Sequence, residues 1–318
     1  MLLLVALWGF LAIARNDMRQ SRNWMIISKI GIVQRKMLNL LNTHTLCIAH
    51  RGGASLAAEN TLAAAWKALE LGADMWELDV SVTADGELVL LHDDSLARTT
   101  NVQTVFPHRA PWLITNFTLA EIKTLDAGSW FVETDPFGTI AAGIVTPMEQ
   151  NAWRGQSIPT LREALIFTRE QQWRVNVEIK ELLPPLETFP VIEAVIELIE
   201  ALAMVDQVLL SSFVHSSMQQ AKSLNPAIAT AALLDVGEPM IFPEVQNFRE
   251  DKSISMDAVH PHYTSVDVAQ IELLRRAGVA VNTWTVNDPQ EMERLIWAGV
   301  TGIITDFPQI LKQVAGGR

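Results

Sequence analysis

The chain has 318 residues, 49% of them hydrophobic and 19% charged, with a single cysteine, Cys47. That is ample length to bury a core and too apolar for a disordered protein, and one cysteine supplies neither an internal disulfide nor a cysteine-ligated zinc cluster. A net charge of −12, from 24 basic and 36 acidic side chains, argues against nucleic acid as a partner, because binding a phosphate backbone needs a basic surface; a small phosphate in a local pocket is still allowed.

The charge is unevenly spread. Residues 1–45 carry Arg15, Arg19, Arg22, Lys29, Arg35 and Lys36 against Asp17 alone, a local charge of +5 that leaves −17 for the rest. Met1 to Ala14 is apolar, but as a helix it would rise only about 21 Å against a hydrocarbon core of roughly 30 Å. It lacks the basic n-region and cleavage site of a secretory signal. Trp24, Ile26, Ile27, Ile30, Val33, Met37, Leu38 and Leu41 then recur at three- and four-residue spacing among basic residues, the pattern of an amphipathic helix suited to an anionic membrane surface or to packing on the following domain. The expected location is therefore cytoplasmic, or membrane-associated through residues 1–45. The sequence leaves the oligomeric state open.

From Leu46 onward short β-rich runs alternate with helical ones. Strands are expected at Leu46–His50, Met75–Val80, Val175–Lys180, Val208–Ser212, Ile228–Leu234, Asp257–His260, Val279–Trp284 and Gly302–Thr305. Helices are expected at Asn60–Leu71, Thr188–Leu202, Ser216–Ser223, Val266–Ala277 and Pro289–Ala298, and Gly72, Gly278 and Gly299 supply stop signals. Eight such strands point to an α/β fold, a (β/α)8 TIM barrel, over residues 46–318. Leu88–His92 follows the second strand across Thr83-Ala84-Asp85-Gly86, a connection too short for a crossover, so it is expected to turn back as a hairpin. Residues 94–157 interrupt the repeat, which a functional insertion explains better than a simple loop. Thr160 and Glu163 have the spacing of a capping box opening a helix at 161–170.

In this fold the chemistry sits at the C-terminal ends of the strands. Glu77 and Asp79, two apart on one strand, face the same side, and their repulsion is relieved by a cation or a shared proton. Glu178 and Lys180 repeat the spacing on the next barrel strand. Three carboxylates without cysteine suit one hard divalent cation, Mg²⁺ or Ca²⁺; an ion-paired ring with Lys180 and Arg51 is the other arrangement this spacing permits. His50 and His92 can move protons near neutral pH, and Arg51 and Lys180 can hold phosphate oxygens. His44, His108, His215 and His262 read as solvated loop residues, and His260 as either core or site. Trp130, Phe131, Tyr263 and Trp284 could form an aromatic cage for a choline-like cation.

These residues carry a resemblance. Ile48-Ala49-His50-Arg51-Gly52, Glu59-Asn60-Thr61, Glu77-Leu78-Asp79-Val80, Thr83-Ala84-Asp85-Gly86 and Val89-Leu90-Leu91-His92-Asp93, in this order and spacing, resemble the glycerophosphodiester phosphodiesterase family. So do Ile158-Pro159-Thr160-Leu161, Val177-Glu178-Ile179-Lys180, Ser211-Ser212-Phe213, Trp284-Thr285-Val286-Asn287 and Gly302-Ile303-Ile304-Thr305-Asp306. The match covers roughly residues 46–310. The resemblance implies hydrolysis of glycerophosphodiesters to sn-glycerol 3-phosphate and an alcohol. His50 and His92 become the general acid/base pair, Glu77, Asp79 and Glu178 the metal ligands, and Arg51 and Lys180 the phosphate contacts. Trp284, Glu59 and Asn60 become substrate-pocket candidates, and 94–157 a small subdomain over the mouth. Where the family usually has proline before Glu-Asn-Thr, this chain has Ala58, which is expected to loosen that loop. Alternatives are lysophospholipase D activity on membrane lysophospholipids, a lyase releasing only cyclic phosphate, and a non-catalytic phosphodiester-binding barrel.

Overall fold

The alternation of side chains along the strands builds two separate cores. On β2 (Met75–Val82), Trp76, Leu78, Val80 and Val82 join an outer core shared with the helices, whereas Met75 joins an inner one. The structure is a computed structural model describing residues 44–240 and 256–316. The other strands are β1 (Leu46–Ala49), β3 (Leu88–Leu90), β4 (Val175–Ile179), β5 (Val208–Ser212), β6 (Ala229–Leu234), β7 (Ala258–Pro261), β8 (Ala280–Thr283) and β9 (Gly302–Thr305). All but β3 are parallel and run in the order β1-β2-β4-β5-β6-β7-β8-β9. The pairing of β1 with β9, Ile48 opposite Ile304, closes the barrel. As expected, β3 returns antiparallel along β2, Val80 opposite Leu90 and Val82 opposite Leu88.

The inner core is Leu46, Ile48, Met75, Leu209 and Ile304, with Ala229, Ala231, Ala258 and Ala280 filling the rest. Small residues on β6, β7 and β8 make room for the larger ones in the buried interior. Gly302 contributes to the fit: a Cβ there would lie 2.6 Å from Asn282 Oδ1 and 2.9 Å from Ile48 Cδ1. Outside the barrel, helices bury their apolar faces on the strands. They are α1 (Leu62–Glu70), α6 (Leu161–Glu170), α7 (Val191–Ala201), α8 (His215–Leu224), α9 (Val268–Arg276), α10 (Pro289–Ala298) and α11 (Pro308–Gly316).

Helix starts follow local chemistry. Thr160 accepts from the Glu163 backbone N–H while the Glu163 side chain accepts from the Thr160 N–H, the capping box expected before α6. The expectation of a helix from Asn60 is corrected: Thr61 is the cap of α1, and Asn60 is left-handed with φ 56°. Likewise Asp267 caps α9, which starts at Val268, two residues inside the expected start, and α7 begins only after Pro190.

Residues 94–157 hold four short helices, α2 (Val102–Val105), α3 (Leu119–Ile122), α4 (Ser129–Thr134) and α5 (Pro147–Trp153). They form two small cores. One joins Val89 and Leu91 beside β3, and the other joins Leu56, Ala57 and Ala58 after β1. Ala58 is buried there and its carbonyl accepts from Thr61 Oγ1 at 2.6 Å. Among the described residues no helix is long and apolar enough to cross a membrane. The expectations for the basic leader fall on residues 1–43, outside the described residues.

Candidate active site

His50 and Arg51 leave the end of β1 in a turn that only certain residues can follow. Arg51 is left-handed at φ 51°, Gly52 at φ 85°, and a Cβ on Gly52 would fall 2.7 Å from the Ala64 backbone of α1. The strain at Arg51, about 1–2 kcal/mol, is offset by its backbone N–H, which donates to Glu77 Oε2 at 2.8 Å. Asn60, also left-handed, bridges the turn to β2. Its N–H donates to the Arg51 carbonyl, its Nδ2 donates to Asp79 Oδ2 at 2.8 Å, and its Oδ1 accepts from the Asp79 N–H at 3.1 Å.

Each histidine has its own carboxylate. His50 Nδ1 lies 2.6 Å from Asp306 Oδ1, and Asp306 Oδ2 accepts from Asn287 Nδ2 at 2.7 Å. Burial alone would lower the His50 pKa, but the Asp306 carboxylate outweighs it and raises the pKa above the ordinary value. With Asp306 an acceptor, Nδ1 is the donor and Nε2 is left for proton exchange. His92 Nδ1 lies 2.7 Å from Asp93 Oδ1. The side-chain bond to His92 and the Arg98 guanidinium hold the Asp93 carboxyl well below the usual carboxylate range.

The carboxylates and cations form a continuous chain. Arg51 Nη1 donates to Glu59 Oε1 at 2.9 Å and its Nε lies 3.4 Å from Asp79 Oδ2; Lys180 Nζ lies 3.2 Å from Asp79 Oδ1 and 2.9 Å from Glu178 Oε1. Burial would raise the Asp79 pKa, but Arg51 and Lys180 hold it below the usual range. Glu77 goes the other way: burial and the neighbouring Asp79 push it up to about 8. One oxygen from each of Glu77, Asp79 and Glu178 lies within 4.8 Å of the others. Glu77 Oε1 is buried and has no hydrogen-bond partner. A buried carboxylate oxygen without a partner, beside two more oxygen donors and no sulfur, is a fit for a hard cation such as Mg²⁺ or Ca²⁺.

Residues 50–310 match the model of the glycerophosphoryl diester phosphodiesterase family. The chain belongs to that family. It is accordingly an enzyme, a phosphodiesterase on a TIM barrel. A glycerophosphodiester phosphodiesterase of Caldanaerobacter subterraneus is 36% identical over 84% of this chain and 96% of its own length. One from Bacillus subtilis is 29% identical over 88% of this chain and 89% of its own. Among solved structures, an Oleispira antarctica phosphodiesterase in complex with the product sn-glycerol-3-phosphate superposes with a TM-score of 0.67 and 29% identity, covering 84% of this chain and 95% of that one.

The cavity at the mouth of this phosphodiesterase brings most of the expected residues together. His50, Arg51, Glu77, His92, Glu178 and Lys180 line it together with the less polar Phe213, Leu233, Trp284 and Ile304. Glu59 is different: it is 9% exposed and its oxygens are taken up by Arg51 and Arg98. The expected aromatic cage does not assemble. Phe131 is fully buried, and Trp130 is tied to the Ala127 carbonyl. Trp284 donates to the His260 carbonyl at 2.7 Å and stacks edge-on with Phe213 and His262. The aromatic residues lining the cavity are thus Phe213 and Trp284, with His262 edge-on to Trp284 and Tyr263 against His262.

His260 proves to be a core histidine, fully buried and hydrogen-bonded to Asn282, and burial pushes its pKa down to about 3. His44 and His108 are exposed as expected, but His215 and His262 are half-buried; His215 Nε2 donates to the Leu233 carbonyl. The sequence reading missed the roles of Asp306, Asn287, Asp93 and Arg98. Asp306 was visible as a polar residue ending a strand, but nothing local tied it to His50. A larger cavity, about 580 Å³, opens at the opposite end of the barrel beside Asp74, Arg275 and Lys312. Burial pushes the Cys47 thiol there up to about 12, so it offers no reactive nucleophile.

Proposed function

We propose that this chain hydrolyses glycerophosphodiesters to sn-glycerol 3-phosphate and an alcohol with the aid of one divalent cation. The observation that carries the reading is that two carboxylate-paired histidines share one cavity with Arg51, Lys180, Glu77 and Glu178, the last two clustered with Asp79. Glu77, Asp79 and Glu178 would hold the cation, which when bound neutralises phosphoryl charge as a Lewis acid. Arg51 and Lys180 stabilise the non-bridging oxygens of the transition state. Asp306 keeps His50 with Nε2 facing outward for proton exchange, and Asp93 does the same for His92. One imidazole takes the proton of the attacking water, or of the glycerol hydroxyl that closes a cyclic phosphate which water then opens, while the other protonates the leaving alkoxide, in line across phosphorus.

The test is phosphorus NMR of glycerophosphocholine digests with Mg²⁺ or Ca²⁺. Release of sn-glycerol 3-phosphate is expected, with losses of about 10²–10⁴ in rate for His50→Ala and His92→Ala. Undiminished turnover in either variant, or in chelator-stripped enzyme, refutes the corresponding part, and accumulation of cyclic phosphate alone points to a lyase. Binding without turnover points to a non-catalytic barrel.

A lipid leaving group is a second reading. Leu183, Phe213 and Val236 follow β4, β5 and β6 in succession and are 37%, 44% and 63% exposed, an apolar arc on one side of the rim. Faster turnover of lysophospholipid vesicles than of glycerophosphocholine would support it, and it would give residues 1–45 a membrane role.

A further inference from the structure

Arg98 lies within the 94–157 segment and does not line the catalytic cavity, yet it stands at a junction of the site. Its guanidinium makes two forks. Nε and Nη2 donate to Asp93 Oδ2 and Oδ1 at 2.6 and 2.9 Å, and Nη1 and Nη2 donate to Glu59 Oε2 and Oε1 at 2.8 and 2.7 Å. Beyond each carboxylate stands a member of the machinery. Asp93 Oδ1 pairs with His92 Nδ1 at 2.7 Å, and Glu59 Oε1 accepts from Arg51 Nη1 at 2.9 Å. The guanidinium carbon also lies 5.7 Å from the ring centroid of Trp130.

We propose that Arg98 is a positioning residue that sets His92 and Arg51 together, so that the proton-transferring imidazole and the phosphate-holding guanidinium keep one mutual geometry. This rests on the two-histidine reading above. Asp93 is 29% exposed, and without Arg98 it has, among the described residues, only His92 to fix its rotamer. Glu59 would retain Arg51 alone, and Arg51, which also reaches Asp79, would be free to follow either carboxylate. Bidentate recognition of two carboxylates at once needs a planar group with several donors at fixed angles; a lysine ammonium cannot reproduce it. Misplacing a catalytic group by about 1 Å costs on the order of 10²-fold in rate.

The side chain of Arg98 is 43% exposed, so truncation opens no core and free guanidinium ion can reach the gap. The experiment compares wild type, Arg98→Ala, Arg98→Lys and His92→Ala for kcat, KM and thermal midpoint, with and without guanidinium at sub-denaturing concentration. The expected result is kcat lower by about 10–100-fold in both Arg98 variants, with KM raised several-fold as Arg51 loses its register. Guanidinium should restore turnover in Arg98→Ala but not in Arg98→Lys, and the thermal midpoint of Arg98→Lys should stay near that of wild type. An Arg98→Lys enzyme with wild-type kcat and KM overturns the inference, even if Arg98→Ala fails to fold. So does a loss in Arg98→Ala that tracks a fallen midpoint and ignores guanidinium. Full activity in Arg98→Lys beside an inactive His92→Ala removes the inference alone; a fully active His92→Ala removes the two-histidine reading with it.

Discussion

His50 and His92 look equivalent in the sequence, each followed at once by a charged residue, and the structure separates them. His92 takes its carboxylate from the next residue, whereas His50 takes it from Asp306, 256 positions away. Replacing Asp306 with Asn, which can donate where the native group only accepts, should disfavour the Nδ1–H tautomer. We predict a fall in kcat on the order of 10²–10⁴ with KM little changed, read by steady-state kinetics beside a circular-dichroism melt. A kcat within threefold of wild type would contradict the role given to Asp306. Gly302→Ala tests packing alone: the new methyl meets Asn282 and Ile48 inside the barrel. Overpacking should cost about 1–3 kcal/mol in urea unfolding. Polar type and strand position made His50, His92, Glu77, Asp79, Glu178 and Lys180 legible in advance. His260, at a strand end like the others, could not be sorted, because its environment comes from Asn282 and the fully buried interior rather than from its neighbours in sequence.

At the scale of elements, short-range chemistry was the best guide. The box at Thr160 and Glu163 opens α6 as read, and the five-residue link Thr83 to Glu87 makes the β2–β3 hairpin that brings His92 to the mouth. Thr160→Ala should therefore destabilise by about 1 kcal/mol, a drop of roughly 2–4 °C in the thermal midpoint, while leaving kcat unchanged. A variant as stable as wild type would show that the cap contributes nothing. Where the reading overran, at Asn60, a residue with ordinary helical neighbours had been claimed by a distant strand. Its side-chain bonds to Asp79 go with a left-handed backbone, so the helix starts only after the Thr61 cap. The four short helices of residues 94–157 were not read individually, because segments of four to seven residues are too short to show a period.

For the whole molecule, a cation held by three carboxylates at the end of a closed barrel would link ion binding to folding. If Glu77, Asp79 and Glu178 hold the cation, Mg²⁺ or Ca²⁺ at a hundredfold excess over Kd should stabilise the fold by about 2.7 kcal/mol. Thermal scans with each ion and with chelator would show the midpoint rise, and Glu77→Gln should blunt it; a midpoint indifferent to both ions would count against the triad as a metal site. The amino-acid sequence by itself determined the barrel, its hairpin and the residue types at its mouth. These follow from alternation, turn length and capping, which act within a few residues. Only the tertiary structure decided the partners: Asp306 for His50, Arg98 for Asp93 and Glu59, and Phe213 rather than Phe131 beside Trp284. Closing the sheet brings residues up to 256 positions apart into hydrogen-bond contact, and no local pattern encodes which of the many polar side chains will meet there.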